Sequence, residues 1–235
     1  MSSICYQRAD VAAAPLYVTK PRSDVIDFSI PFMSVQASLL MHRAKYGYLD
    51  PPLKRAGDLL TQNLFAYGTL QTGFLVKAFK NTNVTAYRAI WRNMNALRSE
   101  DDVFLSTNDA GIEKVRKENF VFILPSTIAE YMAAQEPCDL VVIDQFLVSK
   151  QFALALPKGS TLMKDINRGL TELKQSGTLR RLYAKWWIHK STCLQQNGGV
   201  KSANIMLGNS NSACVHSCMY SIVLVVIFKN VFCVR

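Results

Sequence analysis

Residues 107–143, TNDAGIEKVRKENFVFILPSTIAEYMAAQEPCDLVVI, decide the fold class. Thr107-Asn108-Asp109 offers a helix cap ahead of Ile112 and Val115, because short polar side chains accept hydrogen bonds from the free N–H groups of a first turn. Phe120 to Leu124 is a strand, Ser126 caps a second helix over Ile128 to Met132, and Leu140 to Ile143 is another strand. Strands and helices that alternate in this way build an α/β lobe.

The same rhythm extends outward in both directions. Downstream, Phe152 to Leu156 is a strand ended by Pro157-Lys158-Gly159. Ser160 then caps an amphipathic region in which Ile166, Leu170, Leu173 and, past Gly177, Leu179, Leu182 and Trp186 recur at three- and four-residue steps. Upstream, Leu64 to Tyr67 ends in Gly68-Thr69, Leu75 to Phe79 is helical, and Ala86 to Leu97 repeats apolar residues at helical spacing. Lys45 to Gly57, with the Pro51-Pro52 pair, is a connector. Ala9 to Leu40 reads as extended segments, Val11–Leu16, Val25–Phe28 and Val35–Met41, with prolines keeping helices out of most of it. Gln195 to Ser212 is an Asn/Ser-rich linker into an apolar tail.

The chain has 235 residues, 49% hydrophobic, with 11 Gly and 8 Pro, which excludes a disordered or collagen-like protein. No fixed-period repeat marks a solenoid. With 27 Lys+Arg against 17 Asp+Glu the formal charge is +10, but the basic residues are dispersed. Clusters such as Lys114, Arg116 and Lys117 and the Arg180-Arg181 pair are short, so a solvated basic surface is expected rather than a nucleic-acid site. No catalytic constellation emerges: His42, His189 and His216 are scattered, and no nucleophile elbow, phosphate loop or zinc-protease helix is present. The chain does not read as an enzyme and no cofactor is implied.

Between Met1 and Cys193 no apolar run reaches the roughly 20 residues that a spanning helix needs. Ala213 to Phe228 is borderline, either a short membrane segment within 213–234 or a β-branched buried strand. The first residues carry no signal-peptide pattern. Cys214, His216 and Cys218 resemble part of a metal cluster but lack a second ligand pair, so no metal site is expected. Asn83-Val84-Thr85 fits the N-glycosylation acceptor pattern.

Several stretches carry more specific information in combination. They are Ala9 to Thr19 leading into Arg22 and then Val25–Met33; Tyr67-Gly68-Thr69; Gly111 to Lys117; Ser126-Thr127 with Glu130-Tyr131; Pro137-Cys138-Asp139; Pro157 to Ser160; and Lys185-Trp186-Trp187 ahead of Cys193. In this order they closely resemble the ligand-binding domain of ionotropic glutamate receptors, from about Arg8 to Cys193. The resemblance implies a bilobed clamshell like the periplasmic solute-binding proteins, whose closure on an amino-acid ligand gates a cation pore.

On that resemblance Arg22 matches the arginine that grips the ligand's α-carboxylate, a role suited to a planar fork of donors that stays charged when desolvated. Pro15 and Thr19 belong to the same strand motif, and Gly73 precedes the helix start that meets a ligand carboxylate. The alternative for Arg22 is a surface ion pair with Asp24 or Asp27. Other family contacts are lost: a threonine is replaced by Tyr17, a Ser-Thr pair by Phe74-Leu75, and the acidic residue that holds the ligand ammonium by Pro125. A buried ammonium without a counter-charge costs several kcal/mol, so glutamate is not the expected ligand. Cys138 and Cys193 match the family's disulfide, with two reduced core cysteines as the alternative.

The family places its pore between the two lobes, yet Leu49-Asp50-Pro51 is followed almost at once by Asp58-Leu59-Leu60. The expected organisation is an incomplete first lobe with connector at 1–57, an intact second lobe at 58–193, and a linker and tail at 194–235. The expected function is a partial ligand-binding region of a receptor subunit, unable to conduct ions alone, that binds a small amino acid or carboxylate and pairs with full-length subunits at the cell membrane. The alternatives are a soluble or tail-anchored carboxylate-binding decoy, or a regulatory interaction protein with a vestigial cleft.

Overall fold

The computed structural model describes residues 9–46, 53–97, 103–189 and 191–193. The linker from Gln195, the apolar tail and the Cys214, His216 and Cys218 group lie outside them. One mixed sheet organises the chain. Its strands are β1 (Ala12–Tyr17), β2 (Asp27–Phe28), β3 (Met33–His42), β4 (Ala66–Leu70), β5 (Phe104–Leu105), β6 (Phe120–Pro125) and β7 (Leu140–Leu156). The spatial order is β1-β7-β3-β6-β4-β5, with β2 also paired to β7. β4 runs parallel to β5 and β6, whereas β3 is antiparallel to both β6 and β7.

Parallel neighbours require crossovers, and helices supply them. α1 (Lys20–Ser23) and α2 (Arg43–Tyr46) are single turns. α3 (Phe74–Lys80) and α4 (Thr85–Leu97) connect β4 to β5, and α5 (Asn108–Lys117) connects β5 to β6. α6 (Ser126–Ala134) follows β6 directly. α7 (Met163–Gln175) and α8 (Thr178–Tyr183) are separated by Gly177, whose left-handed backbone (φ 69°) suits glycine, and a π-helical turn follows over Ala184–His189.

The largest apolar cluster packs Leu39, Leu40 and Met41 of β3 and Phe120 to Leu124 of β6 against Phe79, Ile90, Met94, Ile112 and Val115 from the helices. Two glycines allow the close approach. A Cβ on Gly68 would lie 1.9 Å from the carbonyl oxygen of Val103, and one on Gly111 would lie 2.4 Å from the Phe122 ring. A second cluster joins Leu154 and Leu156 of β7 to Ile166, Leu170 and Leu173 of α7, with Val11, Ala13, Ile30 and Phe32 packed beside them. The amide of Ile30 donates to Asn167 Oδ1 at 2.8 Å, tying α7 to the segment after β2. The C-terminal half of β7 thus packs with the first strands of the chain, and its N-terminal half with the larger cluster.

The structure departs from the sequence reading in several local ways. The two strands expected at 140–143 and 152–156 are one continuous 17-residue strand, because β3 runs opposite both ends of it and carries the pairing through two register shifts. Thr107 caps α5 as expected, its hydroxyl accepting from the Ala110 amide at 3.1 Å. Ser126 does not cap α6. It is the first helical residue, and its hydroxyl accepts instead from the Gln36 amide of β3 at 3.3 Å. Ser160 forms a turn through its backbone and leaves the N-cap position to Leu162. No described helix is long and apolar enough to cross a membrane.

Candidate functional site

Pro15 interrupts β1 where the strand's register to β7 shifts, between Ala12 and Leu16. β1 is at the end of the strand order, a position in which a residue without an amide hydrogen is tolerated. The strand stops at Tyr17, and Thr19 is the N-cap residue of α1: its carbonyl accepts from the amides of Arg22 at 3.0 Å and Ser23 at 2.9 Å. This turn carries Arg22 back toward the end of β1, where its Nη1 donates to the Tyr17 carbonyl at 2.9 Å.

Arg22 does not form the surface ion pairs with Asp24 or Asp27 that were its alternative. Asp24 is bound by Lys20 at 3.0 Å, and Asp27 by Lys158 at 2.9 Å and by the Gly159 amide at 2.9 Å. Among the described residues no carboxylate pairs with Arg22, which is half-buried. One of its charged donors is fixed by a backbone oxygen, and the guanidinium keeps further donors for an anion.

An aromatic group adjoins this arginine. The Tyr17 ring lies 4.6 Å from that of Phe74 and 4.5 Å from that of Phe152, centroid to centroid, with Val35, Phe32 and Met33 packed around them. Tyr17 and Phe152 are cross-strand partners on β1 and β7, and Phe74 is the first residue of α3. Burial pushes the Tyr17 phenol well above its ordinary range, only partly offset by the positive charge of Arg22. Tyr17 therefore stays neutral at physiological pH.

The other sequence-predicted positions divide around this group. Gly73 is exposed at the N-cap of α3 with φ 117°, so it directs Phe74 toward Tyr17. Leu75 turns away into the large core. Pro125 is buried at the end of β6, opposite Ala37 of β3, and leads into α6 — an apolar residue where the resembled family holds an ammonium. Phe152 was missed as a site residue. Its run reads only as a strand, and the register that sets it against Tyr17 is a long-range property.

A covalent brace lies elsewhere. Cys138 and Cys193 are disulfide-bonded with Cα atoms 5.3 Å apart, across 55 residues. The Ser191 hydroxyl donates to the Ala134 carbonyl at 3.0 Å, and Arg116 holds Asp139 through two hydrogen bonds of 2.8 and 3.2 Å. The tandem tryptophans lie in the same C-terminal segment: Trp187 is buried and stacks on Tyr183 at 5.2 Å. Among the described residues no group of three or more His, Cys, Asp or Glu side chains is placed to hold a metal.

The fold is thus a mixed sheet with helical crossovers, and Arg22 of α1 is turned back onto the end of β1. Residues 2–189 match the family model described as bacterial extracellular solute-binding proteins, family 3. The chain belongs to this family. Within it, the solute-binding domain is similar to glutamate receptor 3 of Mus musculus, 36% identical over 164 residues, which is 69% of this chain and 18% of that protein. Glutamate receptor 3 of Homo sapiens and of Rattus norvegicus match to the same extent. The chain thus spans less than a fifth of the length of these curated relatives. It is an α/β domain of the periplasmic-binding-protein type, resembling the ligand-binding domain of ionotropic glutamate receptors, and these relatives are receptors and solute-binding proteins, not enzymes.

Proposed function

We propose that this solute-binding domain acts as the ligand-binding region of a glutamate-receptor-type subunit, and that its ligand is a small carboxylate with an apolar body rather than glutamate. The observation that carries this reading is Arg22: half-buried, held by the Tyr17 carbonyl, and without a carboxylate partner among the described residues. Its free donors match a carboxylate in planar bidentate geometry. The rings of Tyr17, Phe74 and Phe152 beside it favour an apolar ligand body. Pro125 and Phe74 supply neither an acidic partner for an ammonium nor a hydroxyl for a second carboxylate.

Only seven residues, 51–57, separate Asp50 from Asp58, against the roughly 20 of one spanning helix, so no pore is inserted there. The proposed role is therefore to bind ligand and to associate with pore-bearing subunits, without conducting on its own. Titration calorimetry of the full chain with benzoate, hexanoate and glutamate tests the ligand assignment. Saturable binding of the first two, lost in Arg22→Ala, is expected. Tighter binding of glutamate than of either monocarboxylate overturns it. A second reading, a vestigial cleft in an interaction protein, is favoured by the direct contact of the three rings, and predicts a folded chain that binds none of the three.

A further inference from the structure

Asn83-Val84-Thr85 is the one Asn-x-Ser/Thr sequence in the chain, and the ligand site leaves it unused. It occupies the turn between α3 and α4. Asn83, Val84 and Thr85 are all exposed, with Val84 at 50%, an apolar side chain standing in water with nothing packed over it. The turn is shaped by its neighbours: the Val84 amide donates to Thr82 Oγ1 at 3.2 Å, and Arg88 Nη2 donates to the Asn83 carbonyl at 3.2 Å. These contacts use backbone atoms. The Asn83 amide side chain and the Thr85 hydroxyl make no hydrogen bond among the described residues, so both groups of the acceptor sequence are available.

The second observation concerns compartment. The Cys138–Cys193 bond is the chemistry of an oxidising environment, and transfer of oligosaccharide to asparagine takes place in the same environment in cells with a secretory pathway. We infer that Asn83 carries an N-linked glycan. In the transfer, Asn83 Nδ2 attacks the anomeric carbon of an oligosaccharide carried on a lipid pyrophosphate. The new C–N bond forms as the C–O bond to pyrophosphate breaks, the lipid pyrophosphate leaves with the electron pair, and the amide gives up one proton to base.

The fold accommodates the product. Ile90 and Met94 turn the opposite face of α4 into the core, while Arg88, Arg92 and Asn95 face solvent on the side of the glycan. The seven residues of α3, about 10 Å of helix, lie between Phe74 at its start and the turn that carries Asn83. The attachment point is therefore separated by the length of α3 from the helix start that meets the aromatic group.

The test uses the full chain purified from secretory eukaryotic cells. Trypsin cuts after Lys80 and Arg88, releasing residues 81–88. Amidase treatment in heavy-oxygen water is expected to convert Asn83 to Asp with one heavy oxygen, together with a single-step gain in gel mobility of the intact protein. Asn83→Gln and Thr85→Ala each abolish both signals, Thr85→Ser keeps them, and carboxylate binding is the same in Asn83→Gln as in the unchanged chain. Recovery of peptide 81–88 wholly unmodified overturns the inference, whether the cysteines of that preparation are bonded or reduced.

Discussion

Replacing Tyr17 by Ala separates the ring's structural contribution from its place in the ligand site. The ring is half-buried, and its loss removes roughly 1.5 kcal/mol of apolar burial. Its contacts with Phe74 at 4.6 Å and Phe152 at 4.5 Å add about 1 kcal/mol together. Tyr17→Ala should therefore destabilise the fold by about 2–3 kcal/mol in urea titrations followed by tryptophan fluorescence, whereas Tyr17→Phe keeps both ring contacts and stays within about 1 kcal/mol. Binding should move the other way. A ligand entering beside Arg22 must part Tyr17 from Phe74, and removing that contact, about 0.5 kcal/mol, raises benzoate affinity roughly twofold. Unchanged stability in Tyr17→Ala, or benzoate binding weakened by it, would refute the reasoning.

Other perturbations test the frame that holds this site. Gly68→Ala forces a methyl to within 1.9 Å of the Val103 carbonyl oxygen, so the β4–β5 pairing must break and the variant should be recovered unfolded, as judged by circular dichroism. Removing the disulfide with Cys138→Ser releases a 55-residue loop and should cost about 4 kcal/mol on the chain-entropy account, read as a lower urea midpoint. The Lys158 ammonium, and then the Gly159 amide, hold the Asp27 carboxylate below its ordinary pKa. A depressed carboxylate contributes stability above about pH 4 that is lost as pH falls, so Asp27→Asn should flatten the acid limb of the stability profile. The Tyr17 phenol, raised by burial, gives the opposite case: its contribution is complete below about pH 10 and declines as pH rises, and this decline should be absent in Tyr17→Phe.

What could be read from the residues alone follows from how local each signal is. Thr107 capped α5 because capping depends on three neighbouring residues. The strand at 120–124 and the helices at 74–80 and 85–97 also lay where their apolar spacing put them. β7 was harder. The polar stretch from Ser149 to Gln151 breaks its apolar pattern, and only β3 running alongside makes it a single strand. Ser126 and Ser160 carry the same capping signal as Thr107, yet the hydroxyl of Ser126 is engaged by a strand 90 residues away. In the site, Arg22 stood out from its motif, but its freedom became visible only when Asp24 and Asp27 were found bound to Lys20 and Lys158. Phe152 had no local mark at all, since its role depends on the register opposite Tyr17.

A crystal structure of the full chain soaked with benzoate measures the central proposal most directly. The account predicts the carboxylate within hydrogen-bond distance of the Arg22 guanidinium and the phenyl ring against Phe74 and Phe152, with Tyr17 displaced from its present contacts. Arg22 paired with an acidic side chain of the protein, or benzoate seated away from β1 and α3, would contradict it.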